Sequence, residues 1–272
     1  MTEPPSRAGL LAPPDPWRRL NALTAARIGL GRAGGSLLTW PLLEFQLAHA
    51  RARDAVLRDL DTAALGQALA AAGCKVLQVH SAAPDRAAFV ARPDLGRILD
   101  DASHSLLERS TPAASAYDCA FIVADGLSAR AVERHAVPLL AQVMDRLGAD
   151  GWRLAPMVIV QQGRVAIGDE IGALLHASMT VLLIGERPGL SSPDSLGIYL
   201  TYDPLPGRSN AERNCISNIR EPDGLSYAMG AHKLYHLMTE SRQRKLSGVD
   251  LKENAPALLL PAGEAAPAIA VE

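Results

Sequence analysis

In the second half of the chain, short apolar runs alternate with segments whose apolar residues recur every three or four positions. The runs CAFIVA, APMVIVQ, MTVLLIG and LGIYLTY have the length and composition of buried β-strands. The segments ARAVERHAVPLLAQVMDRLG, GDEIGALLHA and SYAMGAHKLYHLMTE have helical periodicity. This alternation predicts an α/β fold with a parallel sheet whose two faces are covered by helices.

The first half of the chain has a mainly helical pattern. We expect a helix at 15–28 with Asp15 as its N-cap, and further helices at 40–60, 62–73 and 93–110. The segments CKVLQVHS and RAAFVAR predict a β-hairpin. We therefore divide the chain into a flexible N-terminal arm, a mainly helical domain, a sheet domain and an Ala/Pro-rich tail, at residues 1–16, 17–115, 116–250 and 251–272.

The predicted strands lead into four segments that are candidates for the functional site. DGLS, QGRV, GERPG and CISNI each follow a predicted strand, and we expect all four to be loops. Because the carboxyl ends of parallel strands meet at one edge of a sheet, these loops should gather there. Open α/β sheets bind their ligands at this edge, so the sequence predicts the functional site among these loops.

A glycine-rich segment, RIGLGRAGGSL at 27–37, has the spacing of a dinucleotide-binding fingerprint. Gly29, Gly31 and Gly34 match G-x-G-x-x-G, and Asp54 follows 20 residues after Gly34. A nicotinamide-dependent oxidoreductase would use these residues, but its fingerprint requires a strand before the glycines and an acidic residue at a strand end. Here both flanking segments have helical patterns. The sequence favours a turn in which glycine allows a positive φ, and the oxidoreductase remains the alternative.

Composition argues against several classes of protein. Lys and Arg number 27 against 29 for Asp and Glu, so the chain lacks the basic excess of nucleic-acid-binding proteins. Its three cysteines, Cys74, Cys119 and Cys215, lack the C-x-x-C spacing of zinc sites and do not suggest a disulfide framework. From the cysteine spacing we expect no metal site. No apolar stretch reaches the roughly 18 residues of a membrane span, so we expect a cytoplasmic protein.

Seven motifs match one protein family in their order and spacing. They are ARIGLGRAG, HARARD, RPDLGR, VADGLSARA, GRVAIGDEIGALL, IGERPGL and CISNI, and they extend over roughly residues 24–250. On these motifs the chain resembles the small subunit of ethanolamine ammonia-lyase. The resemblance implies a Rossmann-like, doubly wound parallel sheet with a smaller, mainly helical N-terminal domain.

The resemblance also implies a function. Members of this family act with a larger, barrel-shaped subunit and convert ethanolamine to acetaldehyde and ammonia with adenosylcobalamin. The small subunit closes over part of the cobalamin and the large subunit holds the substrate, so we expect no catalytic base or nucleophile from this chain. The cobalamin contacts of the family correspond to Val165 in GRV, Glu186 in GERPG and Cys215 in CISNI. Some members are packaged in a bacterial microcompartment, and the short N-terminal arm leaves that location open.

Each of these three residues also has a purely structural interpretation. Glu186 can cap the turn after its strand or pair with Arg187, Cys215 can be a buried thiol, and Val165 can belong to the core. The histidines give an independent expectation, because none stands in the D-x-H-x-x-G motif with which some proteins replace the base of cobalamin. Bound cobalamin should therefore keep its dimethylbenzimidazole ligand.

Overall fold

The computed structural model describes residues 17, 20–21, 23–24, 26–111 and 117–256. The predicted arm at 1–16 and all of the predicted tail beyond residue 256 lie outside these residues. Within the predicted helix at 15–28, the described residues form only 3-10 geometry near its start and no helix at its end. The part of this segment that the structure describes is therefore not the α-helix that we expected.

The described residues form eight strands and seven α-helices. The strands are β1 (Arg32–Ala33), β2 (Ser36–Leu37), β3 (Val76–His80), β4 (Ala120–Ala124), β5 (Met157–Gln161), β6 (Met179–Gly185), β7 (Leu196–Tyr202) and β8 (Arg213–Ile219). The helices are α1 (Thr39–Leu57), α2 (Thr62–Ala71), α3 (Arg86–Ala91), α4 (Asp101–Ser110), α5 (Ala129–Ala149), α6 (Ile167–Leu174) and α7 (Tyr227–Arg244). The fold is thus α/β, as the alternation of patterns predicts.

Six of the strands form one mostly parallel sheet in the order β3-β5-β4-β6-β7-β8. β3, β5, β4 and β6 pair in parallel, but β7 is antiparallel to β6 and β8 is antiparallel to β7. The expectation of an all-parallel sheet is therefore wrong for the last two strands. Only residues 186–195 connect β6 to β7, and this loop is too short for the crossover helix that a parallel pair needs. Because β7 and β8 each reverse direction, β6 and β8 end at the same edge.

The predicted β-hairpin of the first half is wrong, because its second segment forms helix α3. Asp85 caps this helix by accepting a hydrogen bond from the amide of Ala88 at 2.8 Å. β3 pairs instead with β5 and forms one border of the main sheet. The sheet thus includes a strand from the range that we assigned to the helical domain.

The other helices of the first half follow the sequence more closely. The helices predicted at 40–60 and 62–73 are confirmed as α1 and α2. The helix predicted at 93–110 is shorter, since α4 begins only at Asp101 and a 3-10 turn precedes it. Asp100 determines this start by accepting a hydrogen bond from the amide of Ser103 at 2.7 Å.

Helices cover both faces of the sheet. One hydrophobic cluster joins α2, α5 and α7 to one face, and a second cluster joins α4 and α6 to the other. The central strands β4 and β6 are buried along their whole length, which explains their continuous apolar sequences. Burial on both sides fixes the positions of the strand ends, from which the candidate loops extend.

The carboxyl end of β6 packs directly against the loop that follows β4. The amide of Leu127 donates a hydrogen bond to the carbonyl oxygen of Gly185 at 3.0 Å. A Cβ atom at Gly185 would overlap the carbonyl oxygens of Ser128 and Asp125. Only glycine therefore allows the two loops to approach this closely.

Replacement of Gly185 by alanine should destabilise the chain. We expect Gly185→Ala to lower the free energy of unfolding by about 3 kcal/mol, because the added methyl group pushes two buried loops apart. Gly148→Ala is the matched control, since Gly148 is an exposed residue of α5 with open space around it. The control should gain stability by up to about 1 kcal/mol. Equal urea midpoints for Gly185→Ala and wild type would contradict this interpretation of the packing.

Candidate functional site

The carboxyl edge of the sheet brings the candidate segments together, with one correction to their predicted conformation. DGLS, QGRV and GERPG follow β4, β5 and β6, as predicted. CISNI is not a loop, because it forms the second part of β8. Its last residues still reach the same edge, since β8 runs parallel to β6.

Asp125 joins the loops after β4 and β5. Its carboxylate accepts hydrogen bonds from the amides of Gln162 and Gly163 at 3.0 and 2.9 Å. The guanidinium of Arg86 donates a further hydrogen bond at 3.1 Å. Asp125 is fully buried, so these three donors replace water around the carboxylate. Burial raises the pKa of Asp125 to about 6, although Arg86 and the amides act in the opposite direction.

Arg86 connects this edge to the N-terminal helices. It lies in α3, and its Nε donates a hydrogen bond to the carbonyl oxygen of Val56, near the end of α1, at 2.6 Å. The same side chain donates to the side-chain oxygen of Gln162 at 3.1 Å. Burial lowers the pKa of Arg86, although Asp125 and Asp59 raise it. The sequence did not single out this residue.

Val165 lies in the loop between β5 and α6 and is half-buried. Its carbonyl oxygen already accepts the amide of Gly168 at 3.2 Å, in the first turn of α6. Its side chain packs against the cluster that includes α4 and α6. The core interpretation of Val165 is therefore partly correct, and a ligand would meet the exposed remainder of this residue.

Glu186 follows β6 and turns toward β8. Its carboxylate accepts hydrogen bonds from the hydroxyls of Ser195 and Ser217, both at 2.6 Å, and from the amide of Asn218 at 3.2 Å. Because these contacts reach across β7 to β8, Glu186 does more than cap the turn after β6. Among the ion pairs of the described residues, none joins Glu186 to Arg187.

Neighbouring residues determine the position of the Glu186 carboxylate. A Cβ atom at Gly197 would come within 2.8 Å of Glu186 Oε1, so glycine leaves room for the carboxylate above β7. Ser195 is held in place because the adjacent Asp194 is buried and forms an ion pair with Arg134 at 2.8 Å. Gly197 and Ser195 therefore restrict the position of the Glu186 carboxylate.

Cys215 and Tyr199 lie beside Glu186 on the same face of the sheet. They are directly paired across β7 and β8, and Leu182 of β6 completes the row. Cys215 and Ser217 are exposed, whereas Ile216, on the opposite face, is buried with α7. Cys215 is therefore not the buried structural thiol of the alternative interpretation.

The Cys215 thiol and the Tyr199 phenol stay uncharged near neutral pH. Partial desolvation raises the pKa of the Cys215 thiol, Tyr199 lowers it, and the carboxylate of Glu186 raises it further. Desolvation and the neighbouring Cys215 and Glu186 raise the pKa of Tyr199 to about 12. The surface thus offers one carboxylate beside a neutral thiol and a neutral phenol, which suits a ligand with neutral amide donors.

The three predicted contact residues do not form one compact cluster, because Val165 and Glu186 follow strand ends whereas Cys215 lies within β8, opposite the middle of β7. Glu186 and Cys215 are close enough to interact electrostatically. Val165 follows β5, which lies four strands from β8 in the sheet order, or roughly 19 Å at about 4.8 Å per strand. A ligand that contacts all three must therefore be large and broad.

The glycine-rich segment does not have the structure of a dinucleotide site. The glycines at 29, 31 and 34 have positive φ values of 59°, 71° and 61°, as expected of a turn. Among the described residues, no strand precedes Gly29, and β1 and β2 form a separate two-stranded sheet within this segment. Asp54 lies inside α1. The oxidoreductase alternative therefore has no support from this geometry.

The described residues contain neither a metal-binding cluster nor a membrane-spanning helix. Across 26–111 and 117–256, no group of three or more His, Cys, Asp or Glu side chains could hold a metal ion. In the same part of the chain, every helix is too short or too polar to span a membrane.

The buried Asp125 should make the stability of the chain depend on pH. Its pKa is higher in the folded chain than its ordinary value, so folding favours the protonated form. The stability that Asp125 contributes is therefore complete below about pH 4 and is lost as the pH rises through about 6. We expect the unfolding free energy of wild type relative to Asp125→Asn to decrease over this range, as measured by urea titrations.

Asp118→Asn is the control for this pH dependence. Burial raises the pKa of Asp118, but hydrogen bonds and ion pairs with Arg153 and Arg242 lower it overall. Wild type should therefore gain stability relative to Asp118→Asn as the pH rises toward about 4. The same pH slope for both variants would contradict the assignment to Asp125.

Comparisons with known proteins agree on one family. The family model described as "Ethanolamine ammonia-lyase light chain (EutC)" matches residues 14–252. The ethanolamine ammonia-lyase small subunit of Pseudomonas fluorescens is 54% identical over 253 residues, which are 93% of this chain and 92% of that protein. The subunit of the same name from Ralstonia nicotianae is 56% identical over 250 residues, 92% of each chain. The chain therefore belongs to the family of ethanolamine ammonia-lyase small, or light, subunits.

Proposed function

We propose that this chain is the small subunit of an ethanolamine ammonia-lyase, a carbon–nitrogen lyase, and that it acts with a large subunit. The complex converts ethanolamine to acetaldehyde and ammonia. Adenosylcobalamin, when bound, supplies the radical chemistry of the reaction. This chain binds part of the cofactor, orients it and excludes water from it.

The Glu186 carboxylate carries this proposal. It lies beside an exposed part of the sheet, and three protein donors hold it in one orientation. A carboxylate offers about four acceptor positions, so one position remains for a donor from outside the chain. The rim of cobalamin carries neutral amide groups whose N–H donors fit that position.

Three other residues near Glu186 or along the sheet support the same ligand. Cys215 gives an exposed, protonated thiol, a small soft contact beside Glu186. Tyr199, which the sequence did not suggest, adds a half-buried phenol in the same row. Val165 stands at the far side of the edge. The breadth of the edge suits a macrocycle with extended side arms better than a small ligand.

The proposal keeps the remaining expectations from the sequence. We assign the cofactor contacts to residues 116–250, although the sheet of this domain also includes β3 from the first half of the chain. We regard the sheet as a Rossmann-like variant with two antiparallel strands. We propose a cytoplasmic location, either free or in a microcompartment. The oxidoreductase is not proposed.

Reconstitution with the large subunit tests the proposed function. The two subunits from the same organism should together release acetaldehyde from ethanolamine only when adenosylcobalamin is added. Each subunit alone should be inactive. Full activity of the large subunit without this chain would contradict the proposal.

Substitution of Glu186 tests the cofactor contact itself. Glu186→Gln preserves the size of the side chain but removes the charge that strengthens its acceptor role. We expect the affinity of the two-subunit complex for adenosylcobalamin to fall by about 1 to 2 kcal/mol. A spectroscopic titration measures this dissociation constant.

Glu212→Gln is the matched control for this substitution. The Glu212 carboxylate also accepts several hydrogen bonds, from Arg208 and Ser209. It precedes β8 and therefore lies at the opposite edge of the sheet. The control should bind cobalamin like wild type. An unchanged dissociation constant for Glu186→Gln would mean that Glu186 only joins β6 to β8.

A further inference from the structure

The N-terminal half of α1 is an apolar surface without a partner among the described residues. Of the nineteen residues of α1, only Ala48 and Ala55 are buried. The large apolar residues before them are exposed by 38% to 65%, and with Leu37 of β2 we call them the apolar arm: Leu37, Trp40, Leu42, Leu43, Phe45 and Leu47. An isolated exposed leucine is ordinary, but a contiguous group of this size marks a contact surface.

The apolar residues of the arm lie on two sides of α1. Because successive residues of an α-helix are turned by about 100°, positions 40, 43 and 47 lie together on one side. Positions 42 and 45 lie on roughly the opposite side. The exposed polar residues Glu44 and Gln46 and the buried Ala48 lie between these two sides. A partner that covers both apolar sides must therefore contact the helix from two directions.

The opposite end of α1 is fixed to the body. Arg86 donates to the carbonyl oxygen of Val56 at 2.6 Å, and Arg58 forms an ion pair with Glu133 of α5 at 2.9 Å. The direction of α1 is thus determined at its C-terminal end, whereas its first turns make few contacts with the fold.

We propose that the apolar arm inserts into an apolar cleft of the large subunit. This inference rests on the proposed function, which supplies a larger partner. A two-fold contact between copies of this chain would place the same patch of each against the other, and such a contact covers one side of a helix. A cleft in a larger protein contacts a helix from two directions, and the two apolar sides of the arm require that.

Charge substitution in the arm tests this docking surface. We expect Leu43→Glu/Leu47→Glu to weaken binding between the two subunits by roughly tenfold or more, because both carboxylates would be buried in the interface. Both leucines are about half exposed, so the melting temperature of the free chain should not change. Leu205→Glu is the control, since Leu205 is 49% exposed in the loop after β7. It should bind the large subunit like wild type.

Hydrogen–deuterium exchange provides a second measurement that needs no variant. Amides of residues 43–47 are hydrogen-bonded within α1, and they should exchange several-fold more slowly after the large subunit is added than in the free chain. Amides near Leu205 should exchange at the same rate in both states. Equal exchange of residues 43–47 with and without the large subunit would overturn the inference.

The outcomes separate this inference from the proposed function. If wild type binds the large subunit and the double variant binds equally well, the docking surface lies elsewhere and only the arm inference fails. An equal loss for Leu205→Glu and the double variant would also overturn it, because the effect would not be specific to the arm. If wild type does not bind the large subunit at all, the proposed function itself fails.

Discussion

The buried pair of Asp125 and Arg86 is the interaction on which the candidate site depends. Asp125 lies in the loop after β4. Its carboxylate accepts hydrogen bonds from two amides of the loop after β5 and from the guanidinium of Arg86 in α3. Burying two charges is costly, and removal of either would leave the other uncompensated in a dry environment. The pair therefore requires α3 to be a helix at this point, and it gives the loop of Val165 a defined position beside the sheet.

A second constraint comes from the short connection after β6. Since residues 186–195 cannot form a crossover helix, the chain returns as β7 and then as β8. The reversal places Ser217 and Cys215 beside Glu186, although about thirty residues separate them in the sequence. Gly197 leaves the space in which the Glu186 carboxylate lies. The candidate cofactor surface thus results from the strand order and from the presence of glycine, which has no side chain, at position 197.

The sequence predicted β4 to β7, α1, α2 and the edge of the sheet on which the site lies, because buried strands and helices have strong and different apolar periods. It did not predict β8, whose segment CISNI was expected to be a loop. RAAFVAR was misinterpreted because a short apolar run has no period that separates a strand from a helix. Pairing direction was also missed, since it depends on loop length rather than on apolar pattern.

The fine structure of the site could not be predicted from the sequence. Glu186 was found through its motif, but its partners Ser195 and Ser217 are ordinary serines that only the folded strands bring to it. Arg86 is 39 residues from Asp125 in the chain, and nothing in its local sequence indicates burial. The glycine-rich segment shows the opposite case, in which an apparently specific spacing lies outside the structural context that would make it a nucleotide site.

The central claim is that this chain forms part of the cobalamin site. The most direct test is an equilibrium titration of the large subunit with adenosylcobalamin, first alone and then with a saturating amount of this chain. The account predicts that the affinity increases by an order of magnitude or more when this chain is present. Equal affinity with and without the chain would contradict it.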